Sequence, residues 1–543
     1  MKPSNVKKLP AARALLHALG LQENEIEKPF VAVVNSFNEV CPGHLHLREL
    51  VNEIKKGVKE AGGIPLEFGA IGVCDGIAMG HAGMKYSLPS REIIADSIEA
   101  MVRSHGIFEG LVIVPACDKN APAQAMAAAR LNLPTIAVTA GPMKPGKVSG
   151  KEVDIVSAFA ADAQKAKKTI TQEQYEEIVC NSCPGAGSCA GLFTANSMAC
   201  VIEALGLTLK GCATSHALDG SKKTIAFESG KKIVQLIKDN LTAKKILTQN
   251  AFLNAFAVDM AIGASTNTVL HIPAIAKEAN LDIDLNKINE VSFKTPNLVR
   301  LSPSSNYHMN DFDAAGGIPS VMRELSSKGL LDEEVLTVNG KLAEVVKNYE
   351  GTKNEKVIRP IQNPYSQTGG IKILRGNLAK KGAVIKESAV DPSIAMPFAG
   401  KAKVFDCEED ATDFIKNHLL ENETVIVIRY EGPKGGPGMR EMLYPTSAVS
   451  ALGKDAKIAL ITDGRFSGAT KGISIGHVAP EACEGGLIAF VKDGDEITID
   501  LDKAELNLKI SKEELEKRKK NQVPKENEIP RGVLANYRRT LLT

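Results

Sequence analysis

The chain has 543 residues, which allows roughly three domains or fewer and cores that need no covalent staples. Lys and Arg number 66 against 64 Asp and Glu, a formal net charge of +2, so no global field draws the protein to nucleic acid or an acidic membrane. Aromatic residues are 4% with no Trp, which argues against stacked-ring surfaces for single strands and against interfacial aromatic belts.

In chain order, the opening MKPSNVKK lacks the apolar core of a secretory signal, so a cytoplasmic location is expected. No run of eighteen apolar residues occurs, so no membrane span is predicted. Short apolar runs at Pro29–Val34, Gly69–Val73, Gly110–Val114 and Pro134–Val138 read as buried parallel strands. Leu47–Ala61, Ser90–Ser104 and Ala121–Leu131 read as the helices between them. Strand alternating with helix predicts an α/β unit with a parallel sheet. From Gln172 to Asn280 the pattern is mainly helical, with small-residue-rich stretches at Ala190–Leu205 and Ala251–Asn267. Polar Asn348–Gln367 reads as a linker, which divides the chain into domains 1–355 and 368–543.

Beyond it, β-like runs dominate: Ile371–Leu374, Ala383–Ile385, Ala402–Val404, Thr424–Arg429, Ala456–Ile461, Leu487–Val491, Glu496–Asp500 and Glu505–Ile510. They predict a mostly-β, barrel-like C-terminal domain. Lys512–Gln522 reads as a charged helix with a solvated face.

Ten cysteines are the unusual item, and eight of them precede residue 213. A large chain without a secretory signal keeps them as reduced thiols, with a few free to bind metal. In Val112–Pro122 a strand delivers Cys117, Asp118 and Lys119 at its carboxyl end, where open α/β sheets bind ligands. Alone, the tripeptide reads sooner as a buried cysteine followed by a surface ion pair, and its place after the strand is what favours a ligand site. Ile71–Met84 repeats the arrangement with Asp75, and two such aspartates suit a hard ion such as Mg²⁺. Cys183–Cys189 among Gly and Pro points to cluster ligation, whereas zinc lacks a second C-x₂-C. Glu441, in a Met-Arg-Glu-Met-Leu context read as the start of a helix, is placed to complete a metal shell. Ala459–Thr470 turns tightly at Asp463, Arg465 and Ser467, where backbone amides can stabilise an ionised hydroxyl. Gly472–Gly476 matches G-x-S-x-G, but lacks the strand before and helix after, so Ser474 reads as a chance match. Gly263–His271 reads as a polar helix start, with Ser, Thr and Asn as caps or site-lining groups. No phosphate-loop pattern occurs.

Taken together, seven stretches resemble the dihydroxy-acid dehydratase/phosphogluconate dehydratase family, over nearly the whole chain. They are NSFNEVCPGHLHL (35–47), CDGIAMGHAGMKYSLPSRE (74–92), CDKNAPAQAMAAA (117–129), CPGAGSCAGLFTANSMAC (183–200), GASTNTVLH (263–271), YEGPKGGPGMREMLYPTS (430–447) and ITDGRFSGAT (461–470). Within the family the chain resembles the branch that acts on dihydroxy acids in valine and isoleucine synthesis. The resemblance implies an iron–sulfur cluster held by Cys117 and Cys189. It implies Mg²⁺ held by Asp75, Asp118, Glu441 and a carbamylated Lys119, with Ser467 as the base. The family's third cluster cysteine stands two residues after Cys41, where this chain has Gly43. Cys41 is preferred as substitute and Cys74 is its rival, which leaves [2Fe–2S] and [4Fe–4S] both open. Cys180 and Cys183 take no role, and Cys200, Cys212, Cys407 and Cys483 read as small buried hydrophobes. The implied partner is a small dihydroxy acid, with a homodimer, or alternatively a tetramer, as the assembly. The same machinery serves a sugar-acid or 6-phosphogluconate dehydratase, for which no added basic pocket is evident. A cluster-bearing nucleic-acid sensor is disfavoured by the near-neutral charge.

Overall fold

The computed structural model describes residues 2–453, 457–521, 525 and 528–541. Ala456 and Gln522, which bound two of the predicted elements, lie outside them.

The first sheet has four parallel strands in the order Ile64–Gly69, Phe30–Asn35, Gly110–Val114, Thr135–Ala137. Phe30–Asn35 and Gly110–Val114 are buried throughout. Helices Leu47–Glu60, Ser87–His105, Asn120–Leu131 and Gly220–Lys238 pack around this sheet, which explains the unbroken apolar runs. The predicted strand Gly69–Val73 is displaced: the strand is Ile64–Gly69, and residues 70–74 have no regular structure. It is an edge strand whose Leu66–Gly69 half is only partly buried, so it lacks the continuous apolar signature of its neighbours. The helical region after Gln172 is present, although the stretch at Ala251–Asn267 closes at Ile262, where Gly263 takes φ 62°.

The second sheet has eight strands in the order Glu505–Lys509, Glu496–Asp500, Phe398–Phe405, Thr424–Ile428, Ile458–Thr462, Ile473–Ala479, Gly382–Ile385, Lys372–Leu374. Its two ends meet: Arg375 bridges Glu505, and Leu506 N donates to Arg375 O at 2.7 Å. The sheet is thus nearly closed into the barrel-like form read from the sequence, which leaves little of its edges free. Leu487–Val491 is not one of the strands. Leu487–Phe490 is a turn of 3₁₀ helix, because a short apolar run has no periodicity to separate the two. Ile473–Ala479 is a strand the sequence reading passed over, and Ser474 lies inside it, not at a strand-to-helix elbow.

Residues 348–371 contain no helix or multi-residue strand, but they are not a free tether. Val357 and Ile358 are fully buried, and Ile371, Ile373 and Val384 join the core of the first unit. The charged helix Lys512–Asn521 has one buried member, Arg518, which holds Asp495 at 2.5 Å. Among the described residues no helix is long and apolar enough to cross a membrane.

His477, on the barrel strand, is buried with neither ring nitrogen hydrogen-bonded among the described residues. Burial, aided by Arg465, pushes its pKa down to about 3. Above pH 6.5 the ring is neutral in both the folded and the unfolded chain. Below it only the unfolded chain takes up the proton, so each pH unit lost down to about 3 removes roughly 1.4 kcal/mol of stability. The melting temperature should fall from pH 7 to pH 5. His477→Asn should flatten part of that fall, since Asn tolerates the local φ of 58°. An unchanged slope in the variant would count against this account.

Candidate active site

Two strand ends of the parallel sheet and one edge of the barrel unit build the site. Gly110–Val114 leads through Pro115 and Ala116 into Cys117, Asp118 and Lys119, and helix Asn120–Leu131 follows at once. The chain leaving Ile64–Gly69 reaches Cys74 and Asp75, the latter opening the short helix Asp75–Ala78. From the other unit, Glu441–Met442 pairs in parallel with Arg465–Phe466, placing Glu441 opposite Arg465. This two-residue strand stands where a helix start was read; the helix begins only at Tyr444. Pairing with a segment 24 residues away leaves no local signal.

The carboxylates of Asp75, Asp118 and Glu441 offer oxygens within 4.8 Å of one another. Lys119 Nζ lies among them, 2.5 Å from Asp75 Oδ2, 3.2 Å from Glu441 Oε2 and 4.0 Å from Asp118 Oδ2. Arg465 Nη1 donates to Glu441 Oε2 at 2.6 Å and to Asn267 Oδ1 at 2.9 Å. Ser87 Oγ donates to Asp75 Oδ1 at 2.7 Å. Lys119, Glu441 and Arg465 are all within 1% of complete burial. Burial works against the Lys119 ammonium, but Asp75 and Glu441 outweigh it and hold its pKa above the ordinary value. Burial and the neighbouring Asp75 push Asp118 up to about 7.

Next to this cluster is a second one of sulfurs. Cys41 Sγ lies 3.1 Å from Cys117 Sγ, and Cys74 makes a thiol contact with Cys41 as well. The rivals for one ligand position are therefore in contact. A ring nitrogen of His44 completes a group with Cys41 and Cys117 within 4.8 Å. Contact with Cys41 lowers the Cys117 pKa, but burial and the charges around it prevail and raise it to about 11. A Cβ added to Gly43 would lie 2.8 Å from Cys117 Sγ and 3.8 Å from Cys41 Sγ, so this position faces the sulfurs. Cys189 is not in that contact group. It packs among Met79, Phe193, Leu443 and Ala469, and its charge is felt at Cys117. Its loop is tied to the Cys41 turn where Gly187 N donates to Pro42 O at 3.1 Å.

Ser467 lies just beyond the Arg465–Phe466 strand, its N–H donating to Met442 O at 3.0 Å. The amide of Ala469 donates to Ser467 Oγ at 3.3 Å, the turn amide foreseen for an ionised hydroxyl. A cavity of about 700 Å³, lined by Asp154, Ser302, His308, Thr446, Ser447 and Ala469 among others, opens beside this turn.

Residues 28–345 match the model of the dihydroxy-acid/6-phosphogluconate dehydratase N-terminal domain, and residues 356–543 match that of the C-terminal domain. The chain belongs to the dihydroxy-acid/6-phosphogluconate dehydratase family. It is accordingly an enzyme of the hydro-lyase class. It is 53% identical to the dihydroxy-acid dehydratase of Carboxydothermus hydrogenoformans, over 99% of this chain and 96% of that protein. It is 52% identical to the enzyme of the same name from Methanosarcina barkeri, over 97% of this chain and 96% of that one.

The donor sets suit a metal-dependent dehydratase. Hard carboxylate oxygens, including a buried Glu441 Oε1 with no partner among the described residues, suit a divalent ion such as Mg²⁺. Clustered thiols suit iron. Sequence reasoning did not single out Ser87 and His44, although both lie inside the quoted stretches, and it offered Asn267 only as a cap or site-lining group. Cys200 and Cys212 are buried as expected, whereas Cys407 and Cys483 are only half-buried, because Cys407 caps helix Glu408–Asn417 from outside and Cys483 lies in a surface 3₁₀ turn. Cys180 and Cys183 are exposed.

Proposed function

We propose that the protein is a dihydroxy-acid dehydratase, converting 2,3-dihydroxyisovalerate and 2,3-dihydroxy-3-methylvalerate to 2-keto acids in valine and isoleucine synthesis. The observation that carries this reading is the contact of two unlike donor sets through adjacent residues. Cys117 faces the sulfurs while Asp118 and Lys119 face the carboxylates. Dehydration across C2–C3 needs help at two neighbouring oxygens, one on each carbon, and this pairing supports that.

In this reading Asp75, Asp118, Glu441 and a carbamylated Lys119 would hold Mg²⁺. Cys117, Cys189 and Cys41, with Cys74 as rival, would hold the iron–sulfur cluster. When bound, these groups supply Lewis acidity at the substrate carboxylate, the 2-hydroxyl and the departing 3-hydroxyl. Carbamylation takes one proton from the Lys119 ammonium, adds CO₂ to the free amine and releases a second proton, replacing a cation among carboxylates by an anionic ligand. Arg465 and Ser87 hold Glu441 and Asp75 in place. Ser467 takes the C2 proton onto Oγ. A free serine hydroxyl is far too weak an acid for this, so the Ala469 amide that faces Oγ favours the alkoxide. The 3-hydroxyl leaves as hydroxide and takes up the proton from Ser467 Oγ to become water, restoring the alkoxide, and the resulting enol loses its hydroxyl proton and gains one at C3 to become the 2-keto acid. Family membership further supports a cytoplasmic homodimer, with a tetramer as the alternative.

The test is turnover, by anaerobically purified and cluster-reconstituted protein, of 2,3-dihydroxyisovalerate beside gluconate, xylonate and 6-phosphogluconate. Preference for the branched substrate is expected; preference for 6-phosphogluconate would reassign the protein within its family. Ser467→Ala should keep iron and sulfide while losing roughly 10²–10⁴-fold in kcat.

For the cluster, Cys117→Ser and Cys189→Ser should each lower iron per chain and bleach the visible spectrum. Cys41→Ser is expected to do the same and Cys74→Ser to do less. The reverse order would give the third position to Cys74, and the EPR signal of the reduced protein would distinguish [2Fe–2S] from [4Fe–4S].

A further inference from the structure

Lys386 follows the barrel strand Gly382–Ile385 and is buried. Its ammonium donates to the carbonyl oxygen of Gly468 at 3.3 Å. Gly468 is the residue after Ser467, and its peptide bond to Ala469 is trans. In a trans peptide the C=O and N–H point in opposite directions. A cation holding the Gly468 carbonyl on one side therefore aims the Ala469 N–H to the other, where it meets Ser467 Oγ at 3.3 Å. Drawing electron density toward the carbonyl also makes that N–H a stronger donor.

The rest of the turn is held to match. Gly472 N donates to Ala389 O at 3.0 Å, tying the far end of the turn to the segment that carries Lys386. A Cβ on Gly468 would lie 2.6 Å from Ser265 Oγ and 3.1 Å from Thr194 N, so the peptide is wedged against the starts of two neighbouring segments.

We propose that Lys386 is a positioning residue for the base: through the Gly468–Ala469 peptide it directs and strengthens the amide that stabilises the Ser467 alkoxide. This rests on the reading of Ser467 as the base. Asp259 is the acidic side chain that acts on Lys386, and its Oδ2 accepts from Thr268 Oγ1 at 2.8 Å. Burial pushes Lys386 down to about 7 against the pull of Asp259, and burial pushes Asp259 up to about 8. Lys386 thus stays a cation only up to about neutral pH, buried with the Gly468 carbonyl as its acceptor, which is a costly arrangement for a merely structural lysine.

The test uses the full-length enzyme with its cluster reconstituted and Mg²⁺ present. Lys386→Met should lower kcat by at least about tenfold, leave KM within about twofold, and move the acid limb of the kcat profile to higher pH. Iron, sulfide and the visible spectrum should be unchanged. Lys386→Gln, which keeps an N–H donor without the charge, should fall between wild type and Lys386→Met, and it carries the comparison if the Met variant does not fold. In a Ser467→Ala background, Lys386→Met should cause no further loss. An unchanged kcat and pH profile, or an equal further loss without the serine, would overturn the proposal. Full turnover by Ser467→Ala alone would instead remove the base reading on which it rests.

Discussion

Lys119, Glu441 and Arg465 are charged groups with almost no exposure, and they lie where the end of the parallel sheet meets the flank of the barrel unit. Each ion taken from water costs several kcal/mol unless a partner of opposite charge meets it at close range. No one segment can meet that requirement alone. Asp75, Asp118 and Lys119 come from strand ends of the first unit, Glu441 and Arg465 from the second. The two units must therefore meet here, and elsewhere they share a core that takes in Ile371, Ile373 and Val384. With a free lysine, three carboxylates face two cations. With the proposed carbamate, four anions face Arg465 alone, and the same pocket would require a divalent cation. In the proposed reading, one covalent change would thus convert a nearly balanced interior into a metal site without moving a backbone.

The adjacency of hard and soft donors follows from chain geometry. Cys74–Asp75 and Cys117–Asp118–Lys119 each place a sulfur directly beside a carboxylate, and both segments leave the same sheet. Neighbouring residues at a strand end send side chains in different directions, so one short segment serves two clusters a few ångströms apart. Removal of water from adjacent carbons asks for that spacing. The carboxyl ends of parallel strands provide it, because the chain turns there and exposes successive side chains at the lip of the sheet.

The parts of this design legible in the sequence are those with a local signature. Phe30–Asn35 and Gly110–Val114 are buried on both faces, and their unbroken apolar runs announce it. Cys117, Asp118 and Lys119 could be placed because they end such a run. Edge strand Ile64–Gly69 was misplaced, since half of it faces solvent. Glu441–Met442 and Ile473–Ala479 were missed because each is defined by a partner elsewhere in the chain. Arg465 and Asn267 read only as a turn residue and a cap or site-lining group, and for Lys386 residue type reveals nothing. A lysine after a strand is ordinary until folding buries it against the carbonyl beside Ser467. Positions whose meaning is a long-range contact have no periodicity to read.

Gly43 shows how such a contact can also explain a departure from a family pattern. Its missing Cβ would stand 2.8 Å from Cys117 Sγ, closer than a carbon and a sulfur can pack. A side chain at 43 therefore has to push into the space that the sulfurs share. Cys41 already sends its own sulfur there, 3.1 Å from that of Cys117. The clash is with the Cys117 sulfur alone, since a Cβ at 43 would meet Cys41 Sγ at an ordinary 3.8 Å. Glycine at 43 is thus fitted to the place that Cys117 takes. The turn is short and bound at both sides: His44 N donates to Cys41 O at 2.9 Å, and Pro42 O accepts from Gly187 N. With so little freedom in the turn, a side chain at 43 would have to displace the Cys117 sulfur, whereas the thiol of Cys41 already lies beside that sulfur with glycine at 43.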